Sequence, residues 1–150
     1  MLAATLVDTY RGTVYPWHCD HMGHMNVMWY IGKFDEATWT YLSLLGLTPD
    51  YLRANARGMA AVEQRIAYQR EVLAGDALAV DTTIVEVRDK VLKFVHRMSV
   101  PDAGETAAVM LQTTVHLDTE RRRATAFPPD VVARARELVA PVELPWDARR

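Results

Sequence analysis

The side chains best suited to chemistry in this sequence lie in one nine-residue segment, HCDHMGHMN, at positions 18–26. It holds three of the five histidines, the only cysteine, an aspartate and an asparagine. A carboxylate such as that of Asp20 attacks a carbonyl carbon or removes a proton from water. We therefore take Asp20, His24 and Asn26 as candidate catalytic groups. Glu63, on the polar face of a later predicted strand, is a candidate second carboxylate or polar positioning group.

A long apolar segment follows at once, and its spacing predicts an α-helix over residues 27–45. Asn26 is a good N-cap, and Gly46 suits the left-handed position just past a helix end. The candidate groups thus precede a helix N-terminus, where free backbone N–H groups stabilise negative charge such as an acyl oxyanion. The predicted buried stripe, at i, i+3, i+4 and i+7 spacing, consists of Val27, Tyr30, Ile31, Phe34, Thr38, Tyr41, Leu42 and Leu45.

Composition limits the class of protein. A chain of 150 residues, half of them hydrophobic, predicts one domain over 1–150 with a core that needs no disulfide or metal. The net charge of −2 argues against a nucleic-acid or membrane-surface partner. The single cysteine excludes an internal disulfide, and neither a signal peptide nor a membrane-spanning run is recognisable. We expect a soluble, cytoplasmic protein.

The rest of the chain is predicted to form a sheet that packs around the helix. After residue 58 the apolar period changes from 3.6 to 2, which indicates strands. Four strands that follow one long helix, with another strand before it, predict an α+β domain with a mainly antiparallel sheet. The predicted strands are 13–18, 59–72, 78–85, 92–100 and 107–117; short helices are predicted at 50–55 and 130–139, and the tail after them is predicted to be irregular.

This pattern resembles the hotdog-fold thioesterases, in particular the 4-hydroxybenzoyl-CoA thioesterase-like acyl-CoA thioesterases. The resemblance covers residues 10–135 and rests on an Asp-x-x-Gly-His-x-Asn-x-x-x-Tyr segment that enters the helix, followed by a later tyrosine and a Gly-Asp turn. The matching residues are Asp20, Gly23, His24, Asn26, Tyr30, Tyr68, Gly75 and Asp76, with Lys93–Arg97 and Phe127-Pro128 further along.

The resemblance implies an antiparallel sheet curled around the central helix and a homodimer or homotetramer with its active sites at subunit interfaces. It implies hydrolysis of an acyl-CoA or acyl-carrier-protein thioester without metal or cofactor. Asp20 then acts as nucleophile or general base, and the backbone N–H of Val27, with Met28 as a further donor, polarises the thioester carbonyl. Arg88 and Lys90 lead the candidates for binding the CoA phosphates, and Trp29 is the preferred wall of the acyl pocket.

Simpler interpretations stay open at this stage. Asp20 also suits a plain loop residue, His24 a structural histidine, and Glu63 a solvent-facing strand residue. Cys19 is an alternative nucleophile, but neighbours on an extended segment point to opposite sides, so it does not share a site with Asp20. A metal site built from His18, Cys19, His21 and His24 would need contiguous ligands to close a tetrahedron. At the level of function, the alternatives are a non-catalytic acyl-CoA-binding module and a hotdog dehydratase or hydratase.

Overall fold

The computed structural model describes residues 5–147. Three helices accompany the strands in this part of the chain, α1 (Val27–Leu44), α2 (Pro49–Ala54) and α3 (Pro129–Glu137). The strands are β1 (Val7–Thr13), β2 (Arg57–Tyr68), β3 (Ala77–Val87), β4 (Val91–Val100), β5 (Glu105–Asp118) and β6 (Arg123–Ala124). No helix within residues 5–147 combines the length and the apolar character needed to cross a membrane.

The strands form one antiparallel sheet in the order β1-β3-β4-β5-β2, and β6 pairs with the far end of β5. Helix α1 packs on one face of this sheet and contributes to two apolar clusters. Its N-terminal half contributes Tyr30 and Phe34 to the first, and its C-terminal half contributes Tyr41 and Leu42 to the second. This confirms the predicted α+β class and the antiparallel sheet.

The ends of α1 are those that the sequence predicts. The Asn26 side chain caps the N-terminus by accepting a hydrogen bond from the Met28 N–H. At the other end Gly46 has a φ of 95°, and its N–H and that of Leu47 donate to the carbonyls of Ser43 and Leu42. These two bonds form the Schellman arrangement that ends a helix.

The predicted buried stripe is only partly correct. Val27 and Ile31 are 55% and 40% exposed, whereas Ala37 and Lys33, which the stripe omits, are buried. The sheet covers only one side of α1, and it leaves Val27, Met28 and Ile31 exposed. Periodicity gives the width of an apolar face, but it does not show which part of that face the chain's own sheet covers.

The first strand differs from the prediction. Residues 13–18 do not form a strand, because Pro16 begins a 3-10 turn (Pro16–His18). Proline has no N–H to donate to a strand ladder, and its fixed φ suits the start of a helical turn. The strand next to α1 is Val7–Thr13, and the Trp17 ring that follows it is 66% exposed.

Two further differences concern β2 and β5. A bulge between Ala61 and Glu63 interrupts the alternation of β2, so that Val62 is 60% exposed instead of facing the core. On β5 the buried, helix-facing set is partly polar, with Gln112, Thr114 and His116 all nearly inaccessible to solvent. Their hydrogen-bond partners, among them Gln64 for Gln112 and Tyr51 for His116, make that burial possible.

A buried histidine ties α1 to the middle of the sheet. His96 on β4 is 0% exposed; its Nε2 lies 2.8 Å from the Thr38 hydroxyl of α1, and its Nδ1 lies 2.7 Å from the Thr82 hydroxyl of β3. Burial lowers the pKa of His96 to about 3, so the ring is neutral at physiological pH. These two contacts fix the rotation of α1 about its own axis.

Replacement of Gly46 with alanine tests the C-terminal end of α1. A Cβ there is strained by the left-handed φ and would lie 3.0 Å from the Arg134 guanidinium. We expect the Gly46→Ala variant to lose about 1–3 kcal/mol of unfolding free energy in chemical denaturation. The matched control is Gly32→Ala, inside α1, where an added Cβ meets nothing closer than 4.0 Å. That control should gain stability, and equal effects of both variants would contradict this account of Gly46.

Candidate active site at the N-terminus of α1

The segment that carries the candidate groups is a closed loop. Cys19 and Met25 form an isolated antiparallel bridge, and the Asp20 N–H donates to the His24 carbonyl at 3.2 Å. Gly23, with a φ of 86°, makes the turn between them. The Met25 N–H donates to the Val72 carbonyl at 2.8 Å, which joins the loop to the segment after β2. The loop therefore has a defined shape against the sheet.

Both carboxylate oxygens of Asp20 accept hydrogen bonds. Oδ1 accepts from the Met22 N–H at 2.8 Å, and Oδ2 accepts from the Asn26 side-chain amide at 2.7 Å. The Asn26 bond is the main cause of a lowered pKa of Asp20, and the Met22 bond is the second. Asp20, half-buried in this chain, is thus a carboxylate at neutral pH.

Asn26 uses both ends of its amide. Its nitrogen donates to Asp20, and its oxygen caps α1 by accepting from the Met28 N–H at 2.9 Å. The Trp29 N–H donates to the Asn26 carbonyl at 3.0 Å. Among residues 5–147 the Val27 N–H has no acceptor. Val27 is therefore the donor at this helix start that is available to a ligand, whereas Met28 is already used by the cap.

A pocket of about 310 Å³ opens beside this helix start, on the side of α1 that faces the end of β2. Across it the His24 Nε2 lies 3.6 Å from a carboxylate oxygen of Glu71. The Tyr30 hydroxyl donates to the Arg70 carbonyl at 3.1 Å, and burial raises the pKa of Tyr30 to about 12, which keeps it a donor. The pocket is lined by His24, Met25, Val27, Tyr30, Tyr68, Gln69, Arg70 and Glu71.

The structure brings together four of the candidates named from the sequence. Asp20 and Asn26 are hydrogen-bonded to each other, and His24 and Val27 line the adjacent pocket. Asp20 itself is not part of the pocket lining. It is joined to the pocket through Asn26, the residue that precedes Val27.

The other candidates lie elsewhere in this chain. Glu63 is exposed in the middle of β2, and Trp29 lines a different groove, between α1 and β1. Arg88 and Lys90 are exposed in the β3–β4 turn, next to the cluster that packs against the C-terminal half of α1. Within one chain these two residues therefore lie towards the end of α1 that is opposite to Asp20.

The local environments of His18 and Cys19 bear on the two alternative sites considered above, a Cys19 nucleophile and a metal site. His18 is buried, and its Nδ1 accepts from the Tyr15 N–H at 3.0 Å. The Cys19 thiol has the Tyr15 carbonyl as its partner and no histidine among residues 5–147. Over the same residues, no three His, Cys, Asp or Glu side chains are grouped closely enough to bind a metal ion.

Sequence reasoning missed part of the pocket wall. Tyr30 and Tyr68 pack edge to face at 5.1 Å, and Arg70 and Glu71 complete the rim. Tyr30 and Tyr68 are among the residues that carry the family resemblance, so the sequence did contain a signal for them. Glu71 had no such signal, because its place beside His24 depends on how the chain turns after β2.

Comparisons with known proteins agree with this architecture. The family model of the thioesterase-like superfamily matches residues 14–135. An L-carnitine dehydrogenase/betainyl-CoA thioesterase of Agrobacterium fabrum is 35% identical over 126 residues, which is 84% of this chain. The chain spans about a quarter of that relative's length (26%). A betainyl-CoA thioesterase of Pseudomonas aeruginosa is 26% identical over 133 residues, covering 89% of this chain and 84% of that protein.

A solved structure supports the same fold. A Staphylococcus aureus protein in complex with CoA aligns with a TM-score of 0.85 at 21% identity, covering 95% of this chain and 92% of the other. Together with the strand order around α1, these matches confirm the expected resemblance. The chain has the hotdog fold and belongs to the thioesterase-like superfamily.

Proposed function

We propose that this protein is an acyl-CoA thioesterase that hydrolyses a thioester to a free acid and CoA. The observation that carries the proposal is the chain of contacts at the start of α1. The ionised Asp20 is hydrogen-bonded to the N-cap Asn26, and the next residue, Val27, presents a backbone N–H beside a pocket. Thioester hydrolysis needs such a carboxylate and such a donor close together.

In this mechanism the thioester carbonyl lies against the Val27 N–H, which stabilises the oxyanion that develops as the carbonyl carbon is attacked. Asp20 attacks that carbon directly, which gives a mixed anhydride that water then hydrolyses, or it removes a proton from the attacking water. In either case the C–S bond breaks and CoA leaves as a thiolate that takes up a proton from solvent. His24, paired with Glu71, orients the substrate at the rim of the pocket. Asn26 holds Asp20 ionised and in place, and it acts as a positioning residue.

The printed names of two relatives suggest a substrate. Betainyl-CoA thioesterase is the name of one and part of the name of the other, so betainyl-CoA belongs in any substrate panel. The S. aureus structure contains CoA, which favours a CoA thioester over an acyl-carrier-protein thioester. We propose a small acyl-CoA as the substrate class.

We further propose that the active unit is a homodimer that pairs its sheets through β2. This strand is the free edge beside the pocket, and residues 61–65 in its middle are exposed. The apolar residues Val27, Met28 and Ile31 of α1 are also exposed, and a partner subunit would cover them. In such a pair Glu63 reaches the active site of the partner subunit. Arg88 and Lys90 then bind the CoA phosphates at an active site other than that of their own chain. A homotetramer built from such pairs is the alternative.

One observation favours a second candidate function. Both Asp20 oxygens are already hydrogen-bonded within the loop, which is also the geometry of a structural carboxylate. A non-catalytic acyl-CoA-binding module would have the same loop. A dehydratase or hydratase is the other alternative, and it would add water across a double bond instead of releasing thiol.

The proposed activity is tested by thiol release from a panel of acyl-CoAs that includes betainyl-CoA, with the Asp20→Asn variant alongside. We expect release of CoA by the natural protein and a loss of about 10²-fold or more in kcat for Asp20→Asn, because the amide can neither attack nor accept the proton. Asp102→Asn, in an exposed turn, is the matched control. Binding without release would favour the module, and wild-type activity in Asp20→Asn would refute the role of Asp20.

Substitution of Val27 by proline tests the oxyanion donor without disturbing the helix. Val27 is the first residue of α1, where proline is tolerated, and Asn26 has the extended φ and ψ (−69°, 147°) that precede proline well. Proline removes only the N–H, so we expect kcat to fall by about 10²–10³-fold with an unchanged melting temperature. Val27→Ala keeps the N–H and should stay near the wild-type kcat. Equal kcat values for the two variants would exclude this donor.

The dimer is tested by Val62→Asp, which adds a charge to the exposed centre of β2. Light scattering should show the natural protein as a dimer or larger and the variant shifted towards monomer, with kcat/KM reduced in parallel. Leu6→Asp is the control, since Leu6 is 51% exposed and lies just before β1 at the opposite edge of the sheet. A natural protein that is monomeric and fully active would contradict the proposal.

A further inference from the structure

A second groove lies on the other side of α1, between this helix and β1. Its volume is about 590 Å³, larger than that of the pocket beside Val27. The helix residues of the two sites are different: Val27 and Tyr30 line the pocket, whereas Trp29, Lys33 and Glu36 line the groove. At 100° per residue the mean directions of these two sets differ by about 120° around α1. The proposed thioester chemistry does not use this groove.

A buried cation faces the groove. Lys33 is only 4% exposed, and its ammonium donates one hydrogen bond, to the Tyr10 hydroxyl at 2.9 Å. An ammonium has three donors, and burial of a charge without a counter-charge is unfavourable. Within residues 5–147 no carboxylate lies within 4.0 Å of Lys33, although Glu36 stands one turn further along the helix, at the exposed rim. The groove therefore contains a positive charge that lacks an anion.

The strand is shaped to hold this lysine. The Tyr10 side chain folds back over Gly12, two residues along β1, so that an added Cβ at Gly12 would meet the tyrosine hydroxyl. Glycine leaves Tyr10 free to take this position. The hydroxyl that accepts from Lys33 is thus placed by the local sequence of β1.

The walls of the groove are flat and aromatic. The Trp29 ring lies 4.5 Å from that of His18, and the rings of Tyr15 and Trp17 are stacked at 4.6 Å with 2° between their planes. Tyr15 and Trp17 are exposed, although stacked aromatic rings are more often buried. Burial, followed by the nearby Lys33 charge, lowers the pKa of His18, so this ring adds no second positive charge at neutral pH.

We propose that this groove binds a small molecule that has both an anionic group and a planar ring, with the anionic oxygens at the Lys33 ammonium and the ring against the tryptophan and tyrosine side chains. An ammonium recognises carboxylate and phosphate alike, and aromatic walls favour a flat partner. Two sources share this chemistry, a free aryl carboxylate and an adenine nucleotide phosphate. The site is separate from Asp20 and does not depend on the proposed hydrolysis.

The test is calorimetric titration of the full chain with benzoate, 2-naphthoate and adenosine 3′,5′-bisphosphate. We expect saturable binding of at least one probe, and the probe that binds identifies the source of the anion. Lys33→Met should weaken that binding about 10-fold or more, because the charge-assisted contact is lost. Lys93→Met, on β4 and paired with Glu86, is the control and should bind as the natural protein does.

A second variant avoids any effect on the core. Gly32 is exposed on α1 and lines the groove, so Gly32→Leu fills the groove from the solvent side. It should abolish binding of the probe while thiol release stays unchanged. Asp20→Asn should bind the probe normally, which separates a failure of this proposal from a failure of the proposed hydrolysis. Absence of saturable binding by all three probes, or undiminished binding in Lys33→Met and Gly32→Leu, would overturn the proposal.

Discussion

The geometry of the site depends on one side-chain amide. Asn26 joins the loop to the helix, since its nitrogen holds Asp20 and its oxygen caps the first turn of α1. The position of the carboxylate is therefore fixed relative to the helix axis. Because the amide also lowers the pKa of Asp20, the same residue sets both the place and the charge of the group. Because the Met28 N–H donates to the Asn26 cap, the Val27 N–H is the donor that is available to a ligand.

The rest of the molecule keeps that helix start open. The sheet covers one side of α1, and the His96 contacts fix which side that is. The N-terminal turn then has a concave surface on each flank, one bounded by the end of β2 and one by β1. A helix that was buried all round would have no access at this point. The two surfaces differ in charge and in lining because the residues opposite α1 come from the end of β2 in one and from β1 in the other.

Much of the fold was predictable because the signals are local. Asn26 and Gly46 mark the ends of α1 through their backbone preferences, and period-2 alternation located β3 and β4 closely. The errors arose where tertiary contacts decide. The bulge at Val62 cannot be read from alternation, and the 3-10 turn at Pro16 displaced the first strand towards the N-terminus.

The candidate site also contains residues that local sequence predicts and residues that only tertiary contacts reveal. Asp20, His24, Asn26 and Val27 are close in sequence, so their proximity in space could be predicted from one loop and one helix. Glu71 and Lys33 were missed, because their roles come from contacts with distant segments. A lysine inside an amphipathic pattern is normally expected to face solvent, whereas the Lys33 ammonium is buried against the Tyr10 hydroxyl of β1.

The network around His96 has one more consequence. Five contacts run in series from the Val80 carbonyl through Thr9, Thr82, His96 and Thr38 to the Phe34 carbonyl. Three hydroxyls and a neutral imidazole supply only four hydrogen atoms for them. One of the five contacts must therefore lack a proton. Which one it is depends on the tautomer of His96, so the hydroxyl orientations of Thr9, Thr82 and Thr38 and the position of the ring hydrogen are coupled along the whole series.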